Sequence, residues 1–216
     1  MVKTSAGLVA YARSKLGLPY FYGAKMQLLT PELFAKLSEA YPDMIPVSDE
    51  AKIGKMCCDC SGLISAYTGV IRGSAAFHAA AVSVASIDAI GMAPPGALVW
   101  REGHIGIYVG KENGTPMYIA EDGSAYGCRK AKLPGVFTHW FECPDVIYIE
   151  AGCVLLAADG RAASLPARNV GGSFVAKLGE LSKVLDNPEV KVRSQLEAMG
   201  YKVAWDADAQ VILAEK

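Results

Sequence analysis

The chain has 216 residues, 52% of them hydrophobic and 20% charged, a balance that supplies a sizeable core and excludes an intrinsically disordered protein. Its 21 basic and 22 acidic residues leave a formal net charge of −1 without any Lys/Arg run, so nucleic acid is not an expected partner. No stretch approaches ~18 uninterrupted apolar residues, so no membrane span is expected.

The spacing predicts a first helix over residues 4–16, capped by Thr4 or Ser5, with Leu8, Val9, Ala12 and Leu16 on one face and Gly17 as its stop. Because Arg13 and Lys15 precede any long apolar run, this N-terminus reads as an amphipathic helix and not as a signal peptide. Action outside the cell would then need a signal already trimmed or a phage-like release. Leu18 to Gly23 forms a short aromatic loop or strand. A second helix is expected from Thr30-Pro31-Glu32, a cap followed by Pro at the first helical position, with Leu33, Phe34, Leu37 and Tyr41 on one side. A third should begin near Cys60, turn Leu63, Ile64 and Tyr67 inward, and close at Gly69 or Gly73. Residues 75–90 are Ala-rich and read as helical. The periodicity then changes, and residues 97–100, 104–109, 116–120 and 146–150 read as strands joined by turns such as Glu112-Asn113-Gly114. Helices first and strands afterwards imply an α+β domain with an antiparallel sheet. A smaller α+β unit follows over 152–216, with hairpins around Asp159-Gly160 and over 201–213 and helices over 175–185 and 189–199. The boundary is expected near residue 151.

The six cysteines are too sparse for a disulfide scaffold. Cys57-Cys58-Asp59-Cys60 spells C-x-x-C, open to a redox or a half-zinc reading, although no second zinc half follows. Cys60 stands at a helix start, where the dipole favours a thiolate and backbone N–H groups can receive an oxyanion. His104, between Gly103 and Ile105 on an alternating strand, can present an imidazole as its base.

Four blocks in order carry a resemblance: Pro19-Tyr20-Phe21-Tyr22-Gly23, Asp59-Cys60-Ser61-Gly62-Leu63-Ile64, Pro95-Gly96-Ala97-Leu98-Val99-Trp100 and Gly103-His104-Ile105-Gly106-Ile107-Tyr108-Val109-Gly110. Together they resemble the NlpC/p60 cysteine peptidases. The resemblance implies a papain-like core over residues 1–151 that hydrolyses amide bonds in peptidoglycan stem peptides, of the γ-D-glutamyl-diamino acid type, through an acyl-enzyme. It makes Cys60 the nucleophile and His104 the base, places Tyr22 at the cleft with its hydroxyl near the thiol, and gives Asp59 and Ser61 to the substrate's free amino end. Helix capping is the structural alternative for that last pair. The resemblance also puts the residue that orients the imidazole on the strand after the base, here Met117 to Asp122, shortly before a Gly plus small apolar pair, and counting back from Gly127-Cys128 favours Glu121. Asp122, one residue on, would face the other side of a regular strand. A solvated turn carboxylate is the alternative for Glu121.

The segment 24–58 is an insertion relative to the family and is expected to border the cleft. No cofactor or metal is required by this chemistry. Leu165, Val170-Gly171-Gly172-Ser173-Phe174-Val175, Leu178, Leu181, Leu185 and the ending Gly200-Tyr201-Lys202-Val203-Ala204-Trp205-Asp206 give the 152–216 unit a weaker resemblance to a copper-amine-oxidase N-terminal-like domain. No His lies beyond residue 139, so no copper site is expected, and the unit is given a binding or stabilising role. Alternatives for the whole chain are a muramoyl-L-alanine amidase, an acyltransferase, or a non-catalytic cell-wall binding protein on the same scaffold.

Overall fold

The computed structural model describes residues 3–148 continuously; beyond them it describes Glu197 and five strands. The chain divides into two compact units, one of residues 7–146 and one of residues 1–6 with 147–216.

In the larger unit the helices precede the sheet. Helix α1 (Ser5–Ser14) buries Leu8 and Ala12. Helix α2 (Pro31–Ala40) starts as the sequence predicts: Thr30 is extended, its Oγ1 accepts from the Leu33 N–H at 3.2 Å, and Pro occupies the first turn, where its missing donor costs nothing. Helix α3 (Cys60–Thr68) ends on Gly69, whose φ of 80° is the left-handed conformation that terminates a helix. It packs on the hairpin β1 (Lys25–Leu28) and β2 (Met56–Cys58), which the sequence pattern does not announce.

Six antiparallel strands follow: β3 (Ala85–Ser86), β4 (Leu98–Arg101), β5 (His104–Glu112), β6 (Thr115–Glu121), β7 (Cys128–Lys132) and β8 (His139–Phe141), in the order β3-β8-β4-β5-β6-β7. The fold class is α+β. Helix α3 lies against β5 and β6. Tyr108, Tyr118, Ala120, Leu133 and Phe137 belong to one cluster on the sheet, and the insertion has its own around Phe21, Leu29, Ile45 and Cys57, with Leu33, Phe34 and Leu37 of α2 laid on it.

Three expectations are corrected. The Ala-rich segment is helical only over α4 (Ser74–Ala79); Val82 and Val84 are exposed, and Ile87–Met92 is a 3-10 turn. Of the expected strand 146–150, the described part is not a strand: Ile147 makes an isolated bridge to Thr4, and residues 149 and 150 lie outside the described residues. Strands β7 and β8 were not expected, because polar residues fill the former and β8 is only three residues long.

In the smaller unit, β9 (Cys153–Ala158) pairs with β10 (Arg161–Val170), β10 with β11 (Ser173–Ala176), and β12 (Lys202–Asp206) with β13 (Val211–Glu215), all antiparallel. Both expected hairpins are present. Of the expected helices, Val175 and Ala176 are strand and Glu197 is helical; the rest lies outside the described residues.

Candidate active site

Asp59 is the N-cap of α3. Its Oδ1 accepts from the Gly62 N–H at 2.6 Å, and its carbonyl accepts from the Leu63 N–H at 3.2 Å. Cys60 is therefore the first residue of the helix, at the positive end of its dipole. Position 62 must be glycine: a Cβ there would stand 2.6 Å from the carbonyl oxygen of Ala24, which accepts from the Asp59 N–H at 2.9 Å. The insertion's first residues are thus pressed against the helix start. Burial, then the Asp59 carboxylate, push the Cys60 thiol up to about 11; the Ile105 N–H, Lys25 and the Ser61 N–H oppose them. The thiol is protonated at neutral pH and needs a base to become a nucleophile. Accordingly, alkylation of Cys60 by iodoacetamide, followed by peptide mass mapping, is expected to accelerate steadily from about pH 7 to about pH 10. A rate that levels off below neutrality would reveal a standing thiolate and contradict this.

The Ile105 N–H that faces Cys60 belongs to the residue after His104, the first residue of β5. The imidazole stacks on Phe137, with ring centroids 5.3 Å apart and planes at 10°, and its Nε2 lies 3.0 Å from Asp122 Oδ1. Asp122 Oδ2 accepts from Tyr118 Oη at 2.7 Å and Arg129 Nε at 2.5 Å. Burial works against the Asp122 charge, but the hydrogen bonds from His104, Tyr118 and Arg129 hold its carboxyl below the ordinary value. An ionised Asp122 can only accept, so Nε2 carries the hydrogen and Nδ1 keeps its lone pair. Arg129 in turn lies over the Tyr126 ring, 4.0 Å from its centroid.

Glu121, expected to orient the imidazole, does not meet it. Its side chain is fully buried, and Oε1 accepts from Cys58 Sγ at 3.4 Å. Oε2 has no partner among the described residues. Burial above all pushes this carboxyl up to about 8. The reason is register. Near the turn, Glu112 pairs with Thr115 and Lys111 with Pro116, and continuing that ladder regularly would put Glu121 opposite Gly106, on the face of His104. A bulge between Tyr108 and Lys111 shifts the pairing to Tyr108 with Tyr118, so Asp122 falls opposite His104 and Glu121 turns to the other face.

Tyr22 is partly buried and packs edge-on against Tyr41 of the insertion, with centroids 5.0 Å apart. Its phenol is pushed up by burial first, then by Tyr41, Asp59 and Cys60. Tyr20 was missed: it is buried, and after burial itself Cys60 is the largest influence raising its phenol. It stands in the same aromatic block, two residues earlier, and β2 fixes its place through a bridge to Cys58. Asp59 and Ser61 do lie together, with Ser61 Oγ donating to Asp59 Oδ1 at 2.9 Å, and both also contact Lys25. Cys57 and Cys58 are buried free thiols, and among the described residues no group of three or more His, Cys, Asp or Glu side chains is arranged to hold a metal ion.

No protein-family model and no curated protein matches the sequence. Among solved structures, the chain is similar to the peptidoglycan hydrolase RipB from Mycobacterium tuberculosis, at 21% identity and a TM-score of 0.42 over 64% of this chain and 63% of that one. The chain thus matches less than two thirds of RipB's own length. It is also similar to the p60 domain of antigen MAP1204 from M. avium subspecies paratuberculosis, at 20% identity and a TM-score of 0.44, over 66% of this chain and 96% of that one.

Proposed function

We propose that the protein is a thiol hydrolase of peptide amide bonds in bacterial cell-wall stems, with Cys60 as nucleophile, His104 as base and Asp122 orienting the imidazole. The observation that carries the chemistry is the alignment of the α3 N-terminus with the start of β5: the sulfur of Cys60 faces the N–H of Ile105, while the preceding imidazole is fixed through Nε2 by a carboxylate. The four sequence blocks and their order support the substrate class.

In this mechanism Cys60 Sγ adds to the scissile carbonyl carbon as its proton passes to His104 Nδ1. The oxyanion meets backbone N–H groups at the α3 start. The C–N bond then breaks, the amine leaves with the proton from Nδ1, and a thioester remains on Cys60. Water, deprotonated by Nδ1, attacks the thioester; the acid is released and the proton returns to sulfur. Asp122 stays ionised and stabilises the imidazolium at each stage.

Incubating the protein with purified muropeptides and reading product masses tests this. The expected result is a pair of fragments summing to the substrate plus one water, cut between D-glutamate and the diamino acid. Cleavage at the muramoyl amide would change the bond assignment, and transfer products lacking the added water would make it an acyltransferase. Sedimentation with cell walls without any fragment would leave a wall-binding protein and overturn the hydrolase reading.

A further inference from the structure

The carboxylate and hydroxyl that flank Cys60 already hold an ammonium group, and it is the protein's own. Lys25 Nζ donates to Asp59 Oδ1 at 2.8 Å, to Asp59 Oδ2 at 2.8 Å and to Ser61 Oγ at 2.6 Å. Those are all three donors of a lysine ammonium. The acceptors are equally engaged, since Asp59 Oδ1 also receives the Gly62 N–H and the Ser61 hydroxyl.

Backbone geometry aims this side chain. Lys25 pairs with Cys58 and Gln27 with Cys57, so Met26 is an extra residue in the ladder, and its φ of 60° is a left-handed conformation uncommon outside glycine. Such a bulge redirects the neighbouring side chain, and here the neighbour reaches the helix start that carries the candidate nucleophile. The Lys25 N–H donates to Gln27 Oε1 at 3.1 Å across the bulge. The side chains of Lys25 and Asp59 stay 22% and 10% exposed, so the ion pair is partly open to solvent.

We propose that Lys25 is a specificity-determining residue that fills the amine-binding side of the cleft from within. The protein then selects peptides whose acyl-side amino group is already in amide linkage and discriminates against peptides with a free amino end. This rests on stem peptides binding beside Cys60, as the proposed function has it. A substrate ammonium entering the same place must either displace a tethered competitor of identical charge or sit beside it, and both oppose binding. An amide-linked nitrogen carries no charge and meets neither obstacle.

Two peptides identical except for N-terminal acetylation, each containing an L-alanyl-γ-D-glutamyl-diamino acid sequence, provide the test. For the wild type, kcat/KM is expected to favour the acetylated peptide at least about tenfold, and Lys25→Met is expected to move the ratio toward the free amine by at least about tenfold, mainly through KM. A ratio is insensitive to the fraction of folded variant. A wild type that prefers the free amine, or a ratio unmoved by Lys25→Met, would overturn the proposal. Calorimetric binding of the same two peptides to Cys60→Ala protein, with Lys25 in place, gives a reading independent of turnover and of the Lys25 variant: the acetylated peptide should bind more tightly, and equal or reversed affinities would refute the assignment. Should neither peptide be cut by the wild type while the binding preference holds, the hydrolase reading fails and the Lys25 assignment stands.

Discussion

Asp122→Asn is expected to lower kcat/KM for stem-peptide hydrolysis by about 10³-fold and Cys60→Ala to abolish it to near background, whereas Glu121→Gln should change it by less than about threefold. Asparagine at 122 retains the shape of the carboxylate, but its amide nitrogen can replace the acceptor facing Nε2. The imidazole would then be drawn to the tautomer that carries hydrogen on Nδ1, the wrong one for taking a thiol proton. The negative charge that stabilises imidazolium would also be lost. Because the Cys60 thiol is raised to about 11, no standing thiolate compensates for a weakened base. Glu121 faces Cys58 on the opposite side of the strand, where a neutral amide can occupy the same volume. Steady-state rates on one peptide separate the three variants. If Glu121→Gln were the damaging change and Asp122→Asn the tolerated one, the assignment of the orienting residue would be reversed.

Glu121 has a second consequence, for stability. With its folded-state pKa near 8 against an ordinary 4.5, the native protein keeps this carboxyl protonated at neutral pH while the unfolded chain ionises. Folding must then take up a proton between those two values. Its contribution is fully present below about pH 4.5 and is lost as pH rises through about 8. Glu121→Gln removes the titration, so the variant is expected to gain on the wild type by roughly 2–5 kcal/mol between about pH 5 and about pH 8. Urea unfolding at the two pH values, followed by tryptophan fluorescence in a Trp205→Phe background, reports on the unit that contains Trp100 and Trp140. A difference between variant and wild type that is the same at both pH values would show that Glu121 is ionised in the native state.

The parts of the fold written in local chemistry were legible. Thr30-Pro31 and Asp59 each announce a helix start through a side-chain cap, and Gly69 announces an end. Cys60 and His104 were identifiable because each sits in a block whose neighbours have their own structural reasons, such as Gly62 under the Ala24 carbonyl. The hairpin of β1 and β2 was not legible. Its two strands are short and lie on either side of α2, so their pairing depends on contacts distant in sequence. The identity of the orienting carboxylate was hidden for a different reason. Glu121 and Asp122 are adjacent and equally acidic, and only a bulge on the partner strand decides which of them looks at the imidazole. Tyr20 and Tyr22 are both influenced by Cys60, and an aromatic-rich loop has no periodicity from which to choose between the two phenols.

The insertion also touches the far side of the site. Lys52 Nζ donates to the carbonyls of Tyr20 at 2.8 Å and Ser124 at 3.2 Å and pairs with Asp49 at 2.7 Å, and Ser124 Oγ returns a hydrogen bond of 2.7 Å to Asp49. One continuous segment therefore supplies Lys25 beside the thiol and a clasp on the loop that follows Asp122. In evolutionary terms such a segment is not a detachable ornament. A change in its length would disturb at once the partner of Asp59 and Ser61 at the α3 start and the support of the loop after Asp122.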